Sequence, residues 1–558
     1  MSTHGPYDPS EPPAETEYLS EQETTRPASR SGRKRALVGV GAVALLALAG
    51  AGAYGVVQFM SSGESAATAV PDHALGYISL DLDPSGGQKV AAYETMRKFP
   101  ALKEQLGLDS DDDPRKWFVD ALNNGADCSL DFGDDVAPWL GHKVAFSAVK
   151  GDEGPQPFFV LEVTDPDAAE SGVAKLLECG GDDEEYGTAM VGDFMVLAPD
   201  ADLAEDIAAD AEDAALADDE TFAARMDDAG DQGVLSGYLA PAAVDLMLEK
   251  ADEMSSSSSG SGTGTGLEPG GDVLQDGMGG GMVPPVDQAQ LDFVRDWVED
   301  FDGAAMQVRF ADEGLEMEMV ASGIKQVEDL EPGTSGMEDL PGSTAIAYGW
   351  AVSPGAFEGM EDSIRGSMSE AEYEAQMRRF EQQSGLAFPE DVQTLLGDGL
   401  SLAVDGSLDV QALGRAFTTG QLAGAEIPVG LRIVSDDTGA VVEVTDKLER
   451  LLPPGLPVGL QVQEGDGVVA VGVDEGYVSE LAGDGGLGET EGFTNAVPDA
   501  EESMAGFFVD FDAENWLEEL VGQQDPEALA NVEPLSSLGL SGTVEDDEAS
   551  VLLRLTTD

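Results

Sequence analysis

One ordered set of short patterns occurs twice along this chain, which limits it to folds built from two similar units. The clearest pair is Phe132-Gly133-Asp134-Asp135-Val136 followed by Leu140-Gly141, against Phe388-Pro389-Glu390-Asp391-Val392 followed by Leu396-Gly397. Phe, Asp, Val, Leu and Gly keep one constant offset between the two. Ahead of them, Ala74-Leu75-Gly76-Tyr77-Ile78 and Ala345-Ile346-Ala347-Tyr348-Gly349 each read as a buried opening strand. Asp83-Pro84 and Ser353-Pro354 then read as helix starts, a polar cap followed by proline at the first helical position. The helices they open carry Tyr93, Met96 and Phe99 in one unit and Met368, Tyr373 and Met377 in the other.

Further along, strands are expected at 144–149 and 400–404. Residues 158–163 lead through Asp165 into a helix, and 429–434 lead through Asp436 into another. Gly192-Asp193 and Gly465-Asp466, each between apolar runs, read as two-residue hairpin turns. Residues 234–240 correspond to 505–511. Val308, Phe310, Leu315, Met317 and Met319 read as a closing hairpin, with Val551, Leu553 and Leu555 as its counterpart. Asp200 to Asp228 is Ala-rich and acidic and predicts one or two solvated helices. The expected fold class is α+β: an N-terminal transmembrane helix followed by two tandem, duplicated antiparallel α+β units, with helices over one sheet face.

The domain plan follows. Residues 1–35 form a disordered cytoplasmic tail, 36–57 a transmembrane helix and 58–69 a linker. Residues 70–325 form a first extracytoplasmic repeat with a flexible Ser/Gly-rich insertion at 254–284. Residues 326–337 form a second linker and 338–558 the second repeat. Segment 36–57 has no charged side chain and exceeds the ~20 residues that cross a bilayer as a helix. Arg30, Arg33, Lys34 and Arg35 precede it, which places the N-terminus in the cytoplasm and the remainder outside the cell membrane. Its uninterrupted length favours an uncleaved anchor over a signal peptide, although Ala47-Leu48-Ala49 and Ala67-Thr68-Ala69 have the cleavage-site form.

The chain carries 110 acidic and 27 basic residues, a formal net charge of −83. Nucleic acid is excluded as a partner, because its binding needs clustered Lys and Arg. The acids are spread along the chain, as suits solubility in a salty or crowded exterior; diffuse cation binding and a basic partner are the other readings. Cys128 and Cys179 both fall outside the membrane, where disulfides persist, and are expected to pair. Their loop of about 50 residues would restrict the unfolded chain by roughly 4 kcal/mol.

Behind the anchor come Val70-Pro71, Tyr77, Asp83-Pro84, Gln88, Phe99-Pro100, Pro138-Trp139-Leu140-Gly141 and Val191-Gly192-Asp193. In that order they resemble the actinobacterial single-pass membrane protein family named domain of unknown function thirty-three fifty-two, over nearly all of 70–558. The resemblance implies a cell-envelope protein and supplies no catalytic residues. In the second unit Ser353 stands for Asp83 and Leu395 for Trp139, so a site built on those residues would exist in one unit only.

Chemistry-bearing patterns are sparse. His73 and His142 are too far apart in sequence to suggest a triad or zinc site. Ser147-Ala148-Val149-Lys150 fits S-x-x-K, but it continues a strand, where Ser and Lys face opposite sides. Ser85-Gly86-Gly87-Gln88-Lys89 reads as the first turn of a capped helix rather than a phosphate cradle. Asp109, Asp111 and Asp113 resemble the start of a calcium loop, with Pro114 where that loop needs glycine; the alternative is a helix capped by Asp113. No cofactor is implied. The expected protein is a non-enzymatic envelope module that binds a ligand (a lipid, a peptide or another envelope protein) or serves as a scaffold. The alternatives are a carboxylate-dependent envelope hydrolase and a divalent-cation-stabilised structural module.

Overall fold

A computed structural model describes residues 65–558, apart from segments that lie chiefly within 100–129, 180–185, 259–297, 326–332, 354–367, 410–426, 451–458 and 518–525. The expected tail, the segment 36–57 and the insertion from 259 onward lie outside the described residues. Among the described residues no helix is long and apolar enough to cross a membrane.

The first eight strands are β1 (Gly76–Asp81), β2 (Leu140–Gly151), β3 (Gly154–Val163), β4 (Gly187–Val191), β5 (Phe194–Ala198), β6 (Leu235–Leu239), β7 (Ala304–Ala311) and β8 (Gly314–Ser322). The next eight are β9 (Thr344–Ala351), β10 (Gly399–Asp405), β11 (Val429–Val434), β12 (Gln461–Glu464), β13 (Val468–Gly472), β14 (Ala505–Asp510), β15 (Leu535–Glu545) and β16 (Glu548–Thr557). All sixteen form one sheet in the order β12-β13-β11-β10-β9-β14-β15-β16-β8-β7-β6-β1-β2-β3-β5-β4. Every pairing is antiparallel. Read inward from either edge, the eight strands of each half come in the same order.

The halves meet at β8 and β16. Gly314 pairs with Thr556 and Ser322 with Glu548, so the first residue of each strand faces the ninth of the other. The register is centred on the pair Glu318 and Leu552. This is the arrangement of an isologous contact, in which equivalent edges meet across a local two-fold.

The two sheet faces differ in chemistry. Direct partners always share a face. Along one row they run Met190, Met195, Leu161, Val144, Leu80, Leu235 and Val308 in the first half. The row continues through Met317, Leu553, Leu540, Phe507, Tyr348, Leu402, Leu431, Val471 and Val462. One residue along each strand, the other face carries Ser79, Ser236, Gln307, Glu318, Leu552, Ser541, Gly506, Gly349 and Ser401. The first is called the apolar face and the second the mixed face below.

Helices cover both faces, which corrects the expectation of a single covered face; a face of large apolar side chains cannot be left wholly to water. On the apolar face lie α1 (Gly86–Met96), α2 (Pro166–Cys179), α5 (Pro241–Ser258) and α8 (Thr438–Glu449). Ala91, Ala92 and Met96 of α1 pack on Phe310, and Ala169 and Val173 of α2 on Leu161 and Met195. On the mixed face lie α3 (Ala201–Asp213), α4 (Glu220–Asp228), α9 (Glu475–Leu481) and α10 (Glu491–Ala496). The acidic stretch expected as solvated helices is α3 and α4. Ala204, Ile207, Ala208 and Ala211 fall at helical spacing and are buried, so α3 is amphipathic, with its acids on the other side. Three further helices among the described residues are α6 (Glu370–Ser384), α7 (Glu390–Leu396) and α11 (Pro526–Val532).

Two segments expected as linkers contribute to the core. Ala66, Ala67 and Ala69 are buried in a short helix capped by the Ser65 hydroxyl. Met337 is buried beneath Gly349 and Gly506, where a Cβ would meet its Cγ at 2.5 Å and its Cε at 2.1 Å. The first hairpin turn is Gly192-Asp193, as expected. The second falls one residue later than expected. The Gly465 N–H donates to the Val468 carbonyl at 2.9 Å, leaving Asp466-Gly467 as the turn, with Gly467 left-handed at φ 72°.

Small residues on the mixed face set how closely its helices approach. A Cβ on Gly539 of β15 would lie 2.2 Å from the Ala496 carbonyl at the end of α10, while one on Gly87 of α1 meets nothing within 4 Å. Gly539→Ala is therefore expected to destabilise the chain by about 1–3 kcal/mol. Gly87→Ala should stabilise it by about 0.5–1 kcal/mol through helix propensity. Thermal or urea melts of the two variants check this, and equal shifts would contradict the packing described.

Candidate functional site

The residues singled out in the sequence do not converge. Asp109 and Asp111 lie outside the described residues. Asp113 is occupied by Arg115: its Oδ1 accepts from the Arg115 backbone N–H at 3.0 Å and from Nε at 2.9 Å, and its Oδ2 accepts from a guanidinium nitrogen at 2.5 Å. Burial alone would push this carboxyl up, but the Arg115 hydrogen bonds and charge outweigh it and hold the pKa below the ordinary value. These contacts favour the helix start over the calcium loop. Cys128 lies outside the described residues, and of Cys179 the structure describes only its place at the end of α2.

Ser147 and Lys150 stand on opposite faces of β2. The Ser147 hydroxyl is buried and donates to the Gly76 carbonyl at 2.7 Å, whereas Lys150 is exposed and pairs with Glu249 at 3.0 Å. His73 stands beside Asp72 and Asp210, and His142 lies in β2. Lys89, in the Gly-rich first turn of α1, pairs with Asp83. Among the described residues no three His, Cys, Asp or Glu side chains are grouped as metal ligands. Tyr77 and Tyr238 are packed edge-on against Phe222, and burial raises both phenols, Tyr238 to about 12. At neutral pH they are fixed as neutral core groups.

One polar arrangement recurs in both halves. Asp135 accepts from the Asp131 backbone N–H at 2.9 Å and pairs with Lys175 of α2. Asp391 accepts from the Ala387 N–H at 2.7 Å and pairs with Lys447 of α8 at 2.7 Å. The lysine hydrogen bond is the leading cause that lowers each carboxyl. This carboxylate ties the short helical segment before the second strand to the helix after the third, a joining role.

Two places remain. The first is a cleft of about 320 Å³ on the mixed face at the seam, lined by Glu316, Thr494, Asn495, Arg554, Leu555 and Thr556 among others. Glu316 is buried and bridges Arg309, at 2.8 Å, and Arg554. Arg309 also reaches Glu318 and donates to the Ala229 carbonyl at 3.1 Å. The cleft's ionic groups therefore neutralise one another, and Arg554 has little charge to offer a ligand.

The second is the open part of the apolar face. In the first half Met195, Leu161 and Leu80 are buried, Val144, Leu235 and Val308 are half-buried, and Met190 at the edge is exposed; from the seam to β10 the row is only partly covered. Tyr348 is 48% exposed, Trp350 39%, Leu402 39% and Met319 37%. Tyr348 is the direct partner of both Leu402 and Phe507, and Trp350 that of Leu400, so these side chains form one patch. The reading of β9 as a buried strand is corrected here: Ala345 and Ala347 are buried, whereas Tyr348 and Trp350 are exposed. The signal was present in the strict small–large alternation Ala345-Ile346-Ala347-Tyr348-Gly349-Trp350. Large side chains on one face and almost none on the other mark a strand whose two sides meet different neighbours.

Lys447→Met tests the recurrent ion pair. The lowered Asp391 pKa means that the pair stabilises the fold above the unfolded value, near 3.9, and ceases to do so as pH falls through the folded value. The variant is expected to lose on the order of 1 kcal/mol at neutral pH. Urea melts should show the gap to the parent closing in acid. A gap independent of pH would mean that only packing of the lysine stem was lost.

Residues 38–267 match the family described as protein of unknown function (DUF3352), which covers less than half of the chain. No curated protein and no solved structure matches.

Proposed function

We propose that this chain is a non-enzymatic binding module of the cell envelope, anchored by 36–57 with its sheet outside the membrane, and that the open apolar face is its binding surface. The observation that carries the reading is the contiguous exposure of Tyr348, Trp350 and Leu402 on adjacent strands away from the sheet edges. Soluble chains seldom leave such a patch without a partner. The matched family adds no activity. The equal strand order of the halves supports an origin by duplication, and the acid excess supports solubility outside the cell.

Native mass spectrometry of the full chain, released from detergent after export from an actinobacterial host, tests this. A bound mass beyond that of the chain is expected, and it should be lost in Tyr348→Asp. The bare chain mass in every preparation would overturn the binding reading and leave a scaffold. The same spectra address the cysteines: paired Cys128 and Cys179 make the chain lighter by two hydrogens and resistant to alkylation. Two alkylated thiols in exported protein would remove the disulfide.

A further inference from the structure

We infer that the open apolar face takes the hydrocarbon chain of a membrane lipid; this rests on the binding reading above and names its ligand class. Three observations lead there.

The first is the chemistry of the floor. Met317, Leu553, Leu540, Phe507, Tyr348 and Leu402 are successive direct partners on six adjacent strands, from the seam to β10. At about 4.8 Å per strand the row spans roughly 24 Å. That exceeds the ~15 Å occupied by the chains of one leaflet, half of a ~30 Å bilayer core. The row holds no charge, in a protein of net charge −83. Whatever lies on it must be uncharged along its length. The methionine at its start and the aromatic groups at its middle suit a flexible apolar ligand rather than one fixed shape.

The second is what the floor cannot offer. Every strand of this stretch is hydrogen-bonded on both sides, so no backbone donor or acceptor is free to receive an added strand. An extended peptide laid across the face would leave its own N–H and C=O groups against apolar side chains, at a cost of about 1–3 kcal/mol for each one left unpaired. A hydrocarbon chain has no such groups.

The third is position. Seven residues, eight Cα–Cα steps, separate Val57 from Ser65, which caps the short helix packed by Tyr77. Fully extended they reach about 28 Å. With 36–57 in a bilayer, the Gly76 end of the sheet is held close to the lipid. The register carries that end across from Gly76 to Leu239, Ala304, Ala321 and Ala549, and Trp350, next to last in β9, lies toward the same end. Trp350 therefore stands at the end of the patch nearer the anchored end of the sheet, the end from which a chain would enter.

Trp350 provides the readout. The full chain is reconstituted in vesicles of phosphatidylcholine with brominated acyl chains, and its tryptophan emission is compared with that in unbrominated vesicles. Bromine quenches an indole only at contact. The expected result is a loss of emission that is absent in Trp350→Phe and abolished by Leu402→Glu, which places a charge in the floor. Leu402 is already exposed, so this variant should keep its melting temperature; Tyr348→Asp serves as the second lesion. Equal quenching in the parent and both floor variants would reduce the effect to simple nearness of the bilayer and overturn the inference. No quenching, together with a bound peptide mass in native spectra, would overturn the lipid while leaving the binding reading intact. Neither quenching nor any bound mass would overturn both.

Discussion

The sheet depends on one constraint: residues that face each other across every strand pair must suit the same side. In this chain the condition holds along an uninterrupted row of apolar partners from Met190 at one edge to Val462 at the other. A shift of one residue in any pairing would turn large apolar side chains toward the mixed face and serines and glycines toward the other. Register, seam and helix placement all follow from this. The helices approach closely where the mixed face offers glycine or alanine. Over the apolar face they pack on Leu, Met and Phe.

The seam shows the same rule between halves. The β8–β16 register centres on Glu318 and Leu552, and it keeps the apolar row continuous from Met317 to Leu553. On the mixed face Glu316 is shared by Arg309 and Arg554, one from each side of the seam. A carboxylate buried between two guanidinium groups costs a great deal if left alone and little if fully paired.

Much of the fold was legible in the sequence. The alternation in β7, β8 and β16 and the hairpin at Gly192-Asp193 have local causes, namely period-two patterning and turn chemistry. What escaped was set by distant residues. Helices on both faces could not be read from the strands, because which side of each strand a helix covers is set by elements far along the chain, as where α9 packs on Ala347, Ala403 and Ala470. The linker residues Ala66, Ala67, Ala69 and Met337 are short or isolated apolar groups, and their burial depends on Tyr77, Gly349 and Gly506 far along the chain. The open patch was missed because Tyr348 and Trp350 belong to a strand that looks uniformly apolar until its small residues are assigned to one face.

An open sheet of this width has two terminal strands, β4 and β12, and the local two-fold makes them counterparts. Two molecules joined through like edges would close into a pair, whereas unlike edges would join head to tail without limit. The acid excess gives the chain a reason to avoid both, since copies carrying −83 charges repel before their edges can meet. Salt shortens the reach of that repulsion to about 8 Å at physiological strength. The same charge thus acts as a guard on its sheet edges, and its strength is set by the ionic strength of the medium that bathes them.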